Sequence, residues 1–142
     1  MMTIEEVRAE GAKGYNCAQI VLASAADKLG FDPEEARRMA AAFGSGMGCG
    51  EACGCFTGGL MALGIAYGNG TPEEKDNRTL CKQKAKEFKE MIEAEYGSIV
   101  CREILGRRSN PDEGARAKKN CAEIMAFCTE CLEKLLQDGS EE

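Results

Sequence analysis

Asp32-Pro33-Glu34-Glu35 decides the fold, because its form returns twice, as Thr71-Pro72-Glu73-Glu74 and Asn110-Pro111-Asp112-Glu113. Each copy sets a capping side chain before a proline, and follows it with two carboxylates that suit the positive end of a helix. The chain has three prolines, so every one of them is expected to start a helix. Thr3-Ile4-Glu5-Glu6 reads as a further capping box. Gly30, Gly44, Gly68 and Gly97 fall where helices should stop.

Between these signals the apolar residues recur with helical spacing. Cys81, Ala85, Phe88 and Ile92 form one stripe, and Ala117, Ile124, Met125, Cys128, Cys131, Leu132, Leu135 and Leu136 form another. Nowhere does an alternation of β-branched residues persist. The pattern predicts helices over 3–12, 16–29, 33–43, 52–67, 72–96 and 111–137, with a short helical turn over 98–105. The expectation is an all-α protein, a single compact helical bundle of about six helices in one domain over 1–142.

Ala52 to Pro72 carries no charge and six glycines. A helix from Cys53 to Tyr67 would reach only about 22 Å, against the roughly 30 Å hydrocarbon core of a bilayer. The segment is flanked by Glu51 and Glu73-Glu74 rather than basic anchors. It therefore reads as a buried central helix, with Gly54, Gly58 and Gly59 letting neighbouring helices come close.

Composition narrows the chemistry. The 142 residues include nine cysteines and no histidine, with a net charge of -6. Without imidazole, His-metal ligation and every Ser/His or Cys/His catalytic arrangement are excluded. The charge has the wrong sign for a nucleic acid or an anionic membrane as main partner. The start, Met1-Met2-Thr3-Ile4-Glu5-Glu6, lacks the basic and apolar run of an export signal, so a cytoplasmic location is expected. There thiols stay reduced, and nine cysteines point to metal-binding or redox thiol chemistry rather than a disulfide framework.

The cysteines differ in context. Asn16-Cys17-Ala18-Gln19 recurs as Asn120-Cys121-Ala122-Glu123, each with Asn as an N-cap and Gln or Glu three residues later. Ser98 offers a cap before Cys101, and a glycine-rich run from Gly44 leads through Cys49 to a helix beginning near Cys53. Cys17, Cys53, Cys101 and Cys121 are thus candidate helix-start thiolates, favoured by free N–H groups and the helix dipole. The alternative for each is a small buried hydrophobe. For Cys121 a further alternative stands, one uninterrupted helix through Asn120. Of these thiols Cys53 is expected to react first, its glycine neighbours giving least cover.

The glycine-rich run lacks the Lys-Ser/Thr of a phosphate loop and has no strand before it. Its glycines more simply bring Cys49 and Cys53 close to a cofactor or another segment, and Cys49 and Cys55 are candidate cofactor-binding residues. Cys128-Thr129-Glu130-Cys131 has the spacing of redox dithiols and zinc sites. It lies on an apolar helix face, where core packing is the favoured reading, as it is for Cys81.

Cys17, the run into Cys53-Gly54-Cys55-Phe56-Thr57-Gly58, Cys101-Arg102-Glu103-Ile104-Leu105-Gly106 and Cys121 together resemble the redox-active protein family of the C_GCAxxG_C_C type. That family is marked by four cysteines and a C-G-A-x-x-G motif. The resemblance assigns its four cysteines to Cys17, Cys53, Cys101 and Cys121, and implies redox activity in a general sense. Cys55 stands where the motif has alanine. Cys49, Cys55, Cys81, Cys128 and Cys131 exceed the family set, leaving room for another ligand choice or an additional redox pair.

Three functions are compatible with these residues. In the first, Cys17, Cys53, Cys101 and Cys121 converge on an iron-sulfur cluster or another thiolate-bound metal for electron handling. In the second, the same cysteines act in pairs, as a thiol-disulfide oxidoreductase or redox sensor without a cofactor. The third is a structural or sensory metal-binding module. Whether the chain is an enzyme stays open, as do its redox partner protein and any homo-oligomer.

Overall fold

A computed structural model describes the backbone of residues 1–108 and 114–140, and the side chains of 1–104 and 121–137. Among them eight α-helical segments appear: α1 (Ile4–Ala12), α2 (Cys17–Ala23), α3 (Ala26–Leu29), α4 (Pro33–Ala40), α5 (Gly54–Tyr67), α6 (Lys75–Tyr96), α7 (Cys101–Arg108) and α8 (Gly114–Ser140). The all-α expectation holds, and the differences lie at helix ends. The predicted helix over 16–29 breaks at Ser24-Ala25, where the Ser24 hydroxyl donates to the Val21 carbonyl at 2.6 Å and competes with the backbone ladder.

Pro33 begins α4 as read, with the Asp32 side chain accepting from the Glu34 N–H. Pro72 does not begin α6. Glu74 accepts from the Gly70 and Thr71 N–H groups, which folds Thr71-Pro72-Glu73 into a turn and delays the helix to Lys75. The third motif, Asn110-Pro111-Asp112-Glu113, lies outside the described residues. Gly30 and Gly97 close their helices in the left-handed conformation. Gly44 does not stop α4, which ends at Ala40.

Helix α5 is the centre. Its buried residues, Gly54, Cys55, Gly58, Gly59, Ala62, Leu63 and Tyr67, surround it on more than one side, as an uncharged helix requires. A side chain at Gly58 would stand 2.5 Å from the Ala18 carbonyl oxygen of α2, and one at Gly59 would stand 2.3 Å from the Phe88 ring of α6. The missing side chains therefore set both helix separations. Phe88 also stacks on Phe56 of α5 at 5.9 Å. The last helix presents the face read from sequence, with Ile124, Met125, Cys128, Cys131, Leu132, Leu135 and Leu136 all buried. It is tied to α5 by the Tyr67 hydroxyl, which donates to the Leu135 carbonyl at 2.7 Å.

Lys84 is buried on the inner face of α6. Its ammonium lies 5.4 Å from the centre of the Tyr67 ring, where the π face attracts a cation. No described helix is long and apolar enough to cross a membrane.

Gly58→Ala should destabilise the protein by about 1–3 kcal/mol, the usual cost of forcing a methyl into a closed contact. Gly64→Ala, six residues on, meets nothing within 4 Å and should stabilise by roughly 0.5–1 kcal/mol through helix propensity. Urea unfolding followed by circular dichroism measures both, and equal effects would mean that the α2–α5 distance is not set at Gly58.

Candidate thiol site

Cys17 is placed by a chain of local contacts. Asn16 caps α2 by accepting from the Gln19 N–H at 2.9 Å, and Gln19 returns the bond by accepting from the Asn16 N–H at 2.9 Å. The capping box read from sequence is therefore present, and Cys17 is the first residue of its helix. The Asn16 amide also donates to the Ala41 carbonyl at 2.9 Å. It fits there because Gly44 has no side chain: a β-carbon would lie 2.6 Å from that of Asn16.

Cys53 and Cys101 are set by backbone pairing rather than by helix starts alone. The segments before α5 and α7 meet in an antiparallel bridge between Ala52 and Val100. The Cys53 N–H donates to the Ile99 carbonyl, and the Cys101 N–H to the Glu51 carbonyl, each at 2.6 Å. Cys53 thus sits at the N-cap of α5, one step outside the first helical turn that sequence predicted. Cys101 does open its helix. Ser98 accepts from the Val100 N–H at 3.0 Å and bonds to the Glu103 carboxylate, bracing the entry to α7.

The glycine-rich run before Cys53 is a left-handed turn. Ser45, Gly46, Met47 and Gly48 all have positive φ, and the Glu51 N–H closes the turn on the Gly46 carbonyl at 3.1 Å. A side chain at Gly46 would lie 2.6 Å from the Glu51 nitrogen and 2.9 Å from the Cys101 β-carbon. The run brings Cys53 and Cys101 together, as its glycines suggested, but turns Cys49 outward. Cys49 is exposed, and its thiol donates only to the Gly46 carbonyl at 3.4 Å.

Cys121 lies within α8, which runs unbroken through Asn120. The helix-start expectation for Cys121 fails, and the single-helix alternative is the one observed. Convergence holds nonetheless. Cys17, Cys53, Cys55, Cys101 and Cys121 all line one cavity of about 20 Å³, with Ile104 and Ile124 among its other walls. Cys49 is not among the lining residues, and neither is Cys81. The nine cysteines are free thiols. Among the described residues no three His, Cys, Asp or Glu side chains are grouped so as to hold a metal ion.

The thiols act on one another. Cys17 is lowered to about 3, first by the hydrogen bond from Cys121, then by that from Cys55, against the cost of burial; its own backbone N–H adds the smallest share. The helix start is therefore the minor cause, and neighbouring thiols are the major one. Cys53 is also lowered, chiefly by Cys55, with help from the N–H groups of Cys55 and Phe56. Cys55 is raised well above the ordinary value by its contacts with Cys128, Cys17 and Cys53 in that order. Cys121 is raised, first by donating to Cys17 and then by burial. Cys101, expected to be a helix-start thiolate, is raised by burial and by the charges of Cys53 and Cys17. Ionisation is therefore favoured at Cys17 and at Cys53, and opposed at Cys55, Cys101 and Cys121.

Two features were missed in the sequence. Cys128 touches Cys55 and so joins the group from the core side, although its stripe identifies it only as apolar. The 52–100 bridge has no strand-like alternation to reveal it. A family model described as "Putative redox-active protein (C_GCAxxG_C_C)" matches residues 15–135. No curated protein and no solved structure matches the chain.

The ionisation order is testable by site-resolved alkylation of the reduced protein with iodoacetamide. Because the Cys17 value is depressed, its thiolate is fully formed well below neutrality, and its labelling rate should stay flat from pH 5 to 8. A free peptide cysteine, with a pKa of about 8.5, should speed up roughly tenfold per unit over that range. Cys121→Ala removes the first-ranked donor, so Cys17 in that variant should regain a rising profile. A steep profile for Cys17 in the unmodified protein would remove the thiolate assignment.

Proposed function

The chain belongs to the redox-active C_GCAxxG_C_C family, and from that membership we propose that it is a thiol–disulfide redox protein whose attacking sulfur is Cys17. The observation that carries this reading is that Cys17 and Cys121 border the same small cavity as a hydrogen-bonded pair, the contact favouring the charge on Cys17 and the proton on Cys121. A thiolate nucleophile beside a protonated second thiol is what disulfide exchange needs, one to attack and one to resolve.

The steps follow from the two protonation states. Cys17 Sγ attacks one sulfur of a substrate disulfide, forming a mixed disulfide and expelling the other substrate sulfur as thiolate. That departing thiolate takes the Cys121 proton, since Cys17 no longer carries the charge that held it. Cys121 Sγ then attacks Cys17 Sγ, giving the Cys17–Cys121 disulfide and releasing the second substrate thiolate, which is protonated from solvent. Two protein thiols are oxidised and one substrate disulfide is reduced to two thiols. Both residues are half-buried and border the cavity, the side from which a disulfide substrate would approach, whereas Cys55 is 1% exposed.

The four-cysteine metal reading meets a size limit. A cavity of about 20 Å³ has room for about one water molecule, so an iron-sulfur cluster does not fit unless the thiols separate. A single thiophilic ion is the second reading, supported by Cys17, Cys53, Cys101 and Cys121 all bordering the same cavity. Against it, their present arrangement pairs thiols with one another rather than around a centre.

Anaerobic purification from metal-replete cells, followed by metal analysis and titration with glutathione disulfide, tests the proposal. The expected result is less than about a tenth of an equivalent of iron or zinc, with a mixed disulfide at Cys17 that gives way to Cys17–Cys121. Cys17→Ala should slow the first step at least about tenfold, and Cys121→Ala should leave the mixed disulfide standing. Stoichiometric metal that is lost on Cys17→Ala or Cys53→Ala would put the metal reading in its place.

A further inference from the structure

Cys55 and Cys128 are not needed for the Cys17–Cys121 exchange, yet they extend the same group of thiols into the core. Cys55 is 1% exposed and Cys128 is not exposed at all. Contact between their side chains comes first among the influences on Cys55, which also touches Cys17 and Cys53. Neither is among the four cysteines that the family pattern assigns. Cys55 occupies the position where the motif has alanine, and Cys128 faces it from α8 across the α5–α8 interface.

We propose that Cys55 and Cys128 form a second, buried dithiol–disulfide pair, which takes oxidising equivalents from the Cys17–Cys121 disulfide by internal exchange. The inference rests on the Cys17 reading for its supply of that disulfide. A lone buried cysteine is explained by packing alone. Here two buried thiols touch each other, and one of them touches the surface nucleophile, so the sulfurs form a continuous path from Cys17 to Cys128. Reagents in solution have no direct access to the inner pair, and Cys17 is the sulfur of the outer disulfide that Cys55 touches.

The transfer balances within the chain. Cys55 Sγ attacks Cys17 Sγ in the Cys17–Cys121 disulfide, and the expelled Cys121 thiolate takes the Cys55 proton. Cys128 Sγ then attacks Cys55 Sγ, forming the Cys55–Cys128 disulfide and expelling Cys17, which takes up the Cys128 proton and releases it to solvent on returning to thiolate. One disulfide is consumed and one is formed, with no further oxidant. The outer pair is reset and can accept a second equivalent, so the chain holds two disulfides where the outer pair alone would hold one.

The test is a stepwise titration of the reduced full chain with glutathione disulfide under anaerobic conditions, quenched with N-ethylmaleimide in denaturant and mapped by peptide mass spectrometry. After one equivalent, Cys55–Cys128 should be the main disulfide, with Cys17 and Cys121 alkylated. A second equivalent should add Cys17–Cys121. In Cys17→Ala the inner disulfide should form at least about tenfold more slowly. Cys128→Ala, checked for native helix content, should stop with Cys17 disulfide-bonded to Cys121 or Cys55. The proposal falls if Cys17–Cys121 accumulates while Cys55 and Cys128 stay reduced, if Cys128 pairs with Cys131 instead, or if the inner disulfide forms equally fast in Cys17→Ala. Absence of any glutathione adduct or disulfide at Cys17 is a distinct result, and it overturns the Cys17 reading together with the inference.

Discussion

The close approach of α2 and α5 at Ala18 and Gly58 is the constraint on which the rest of the molecule depends. A β-carbon at Gly58 would overlap the Ala18 carbonyl, and one at Gly54 would lie 3.0 Å from both the Ala18 nitrogen and the Cys17 β-carbon. The same stripe that seats the helices thus brings the start of α2 against the start of α5, and with them Cys17 against Cys53 and Cys55. Fold and site share one set of contacts, and neither tolerates a wider spacing.

Within that frame the thiols divide unequal roles among chemically identical groups. One S–H serves one acceptor at a time, so Cys55 cannot donate to Cys17 and Cys53 together. The charge at Cys17 in turn raises Cys101 and Cys121 and opposes ionisation of Cys53, as like charges in a small space must. The consequence is a site that gathers negative charge at Cys17 and Cys53 and keeps the protons of its other thiols close by. Burial decides the rest: the partly exposed Cys17 and Cys121 meet solvent, while Cys55 and Cys128 meet only protein.

Much of the fold is legible in the sequence, because capping boxes, left-handed glycines and apolar stripes are local signals. The Asn16 capping box, the Gly30 and Gly97 stops, the buried face of α8 and the close-packing glycines of α5 are all found where their residues point. Pro72 misleads because Glu74, two positions on, binds the turn before it and outcompetes a proline start. Cys17, Cys53, Cys55, Cys101 and Cys121 were each legible as site candidates, though for an incomplete reason. Helix starts explain little of the Cys17 thiolate and none of Cys121, since the stronger influence comes from other thiols that are distant in sequence. Cys128 was illegible for the same reason, its apolar stripe being identical whether the facing residue is Cys55 or any other small side chain.

Cys17 and the thiol that most lowers it, Cys121, are far apart in the sequence. The N-cap forms locally, but the proton of Cys121 arrives only with α8, which is made long after α2. A chain that has not yet made α8 lacks this donor, and Cys17 gains its strongest support only as that helix docks. Nine cysteines in an incomplete chain would be open to mispairing if any were activated early. Building the nucleophile from two segments distant in sequence makes its full reactivity a late property of the fold.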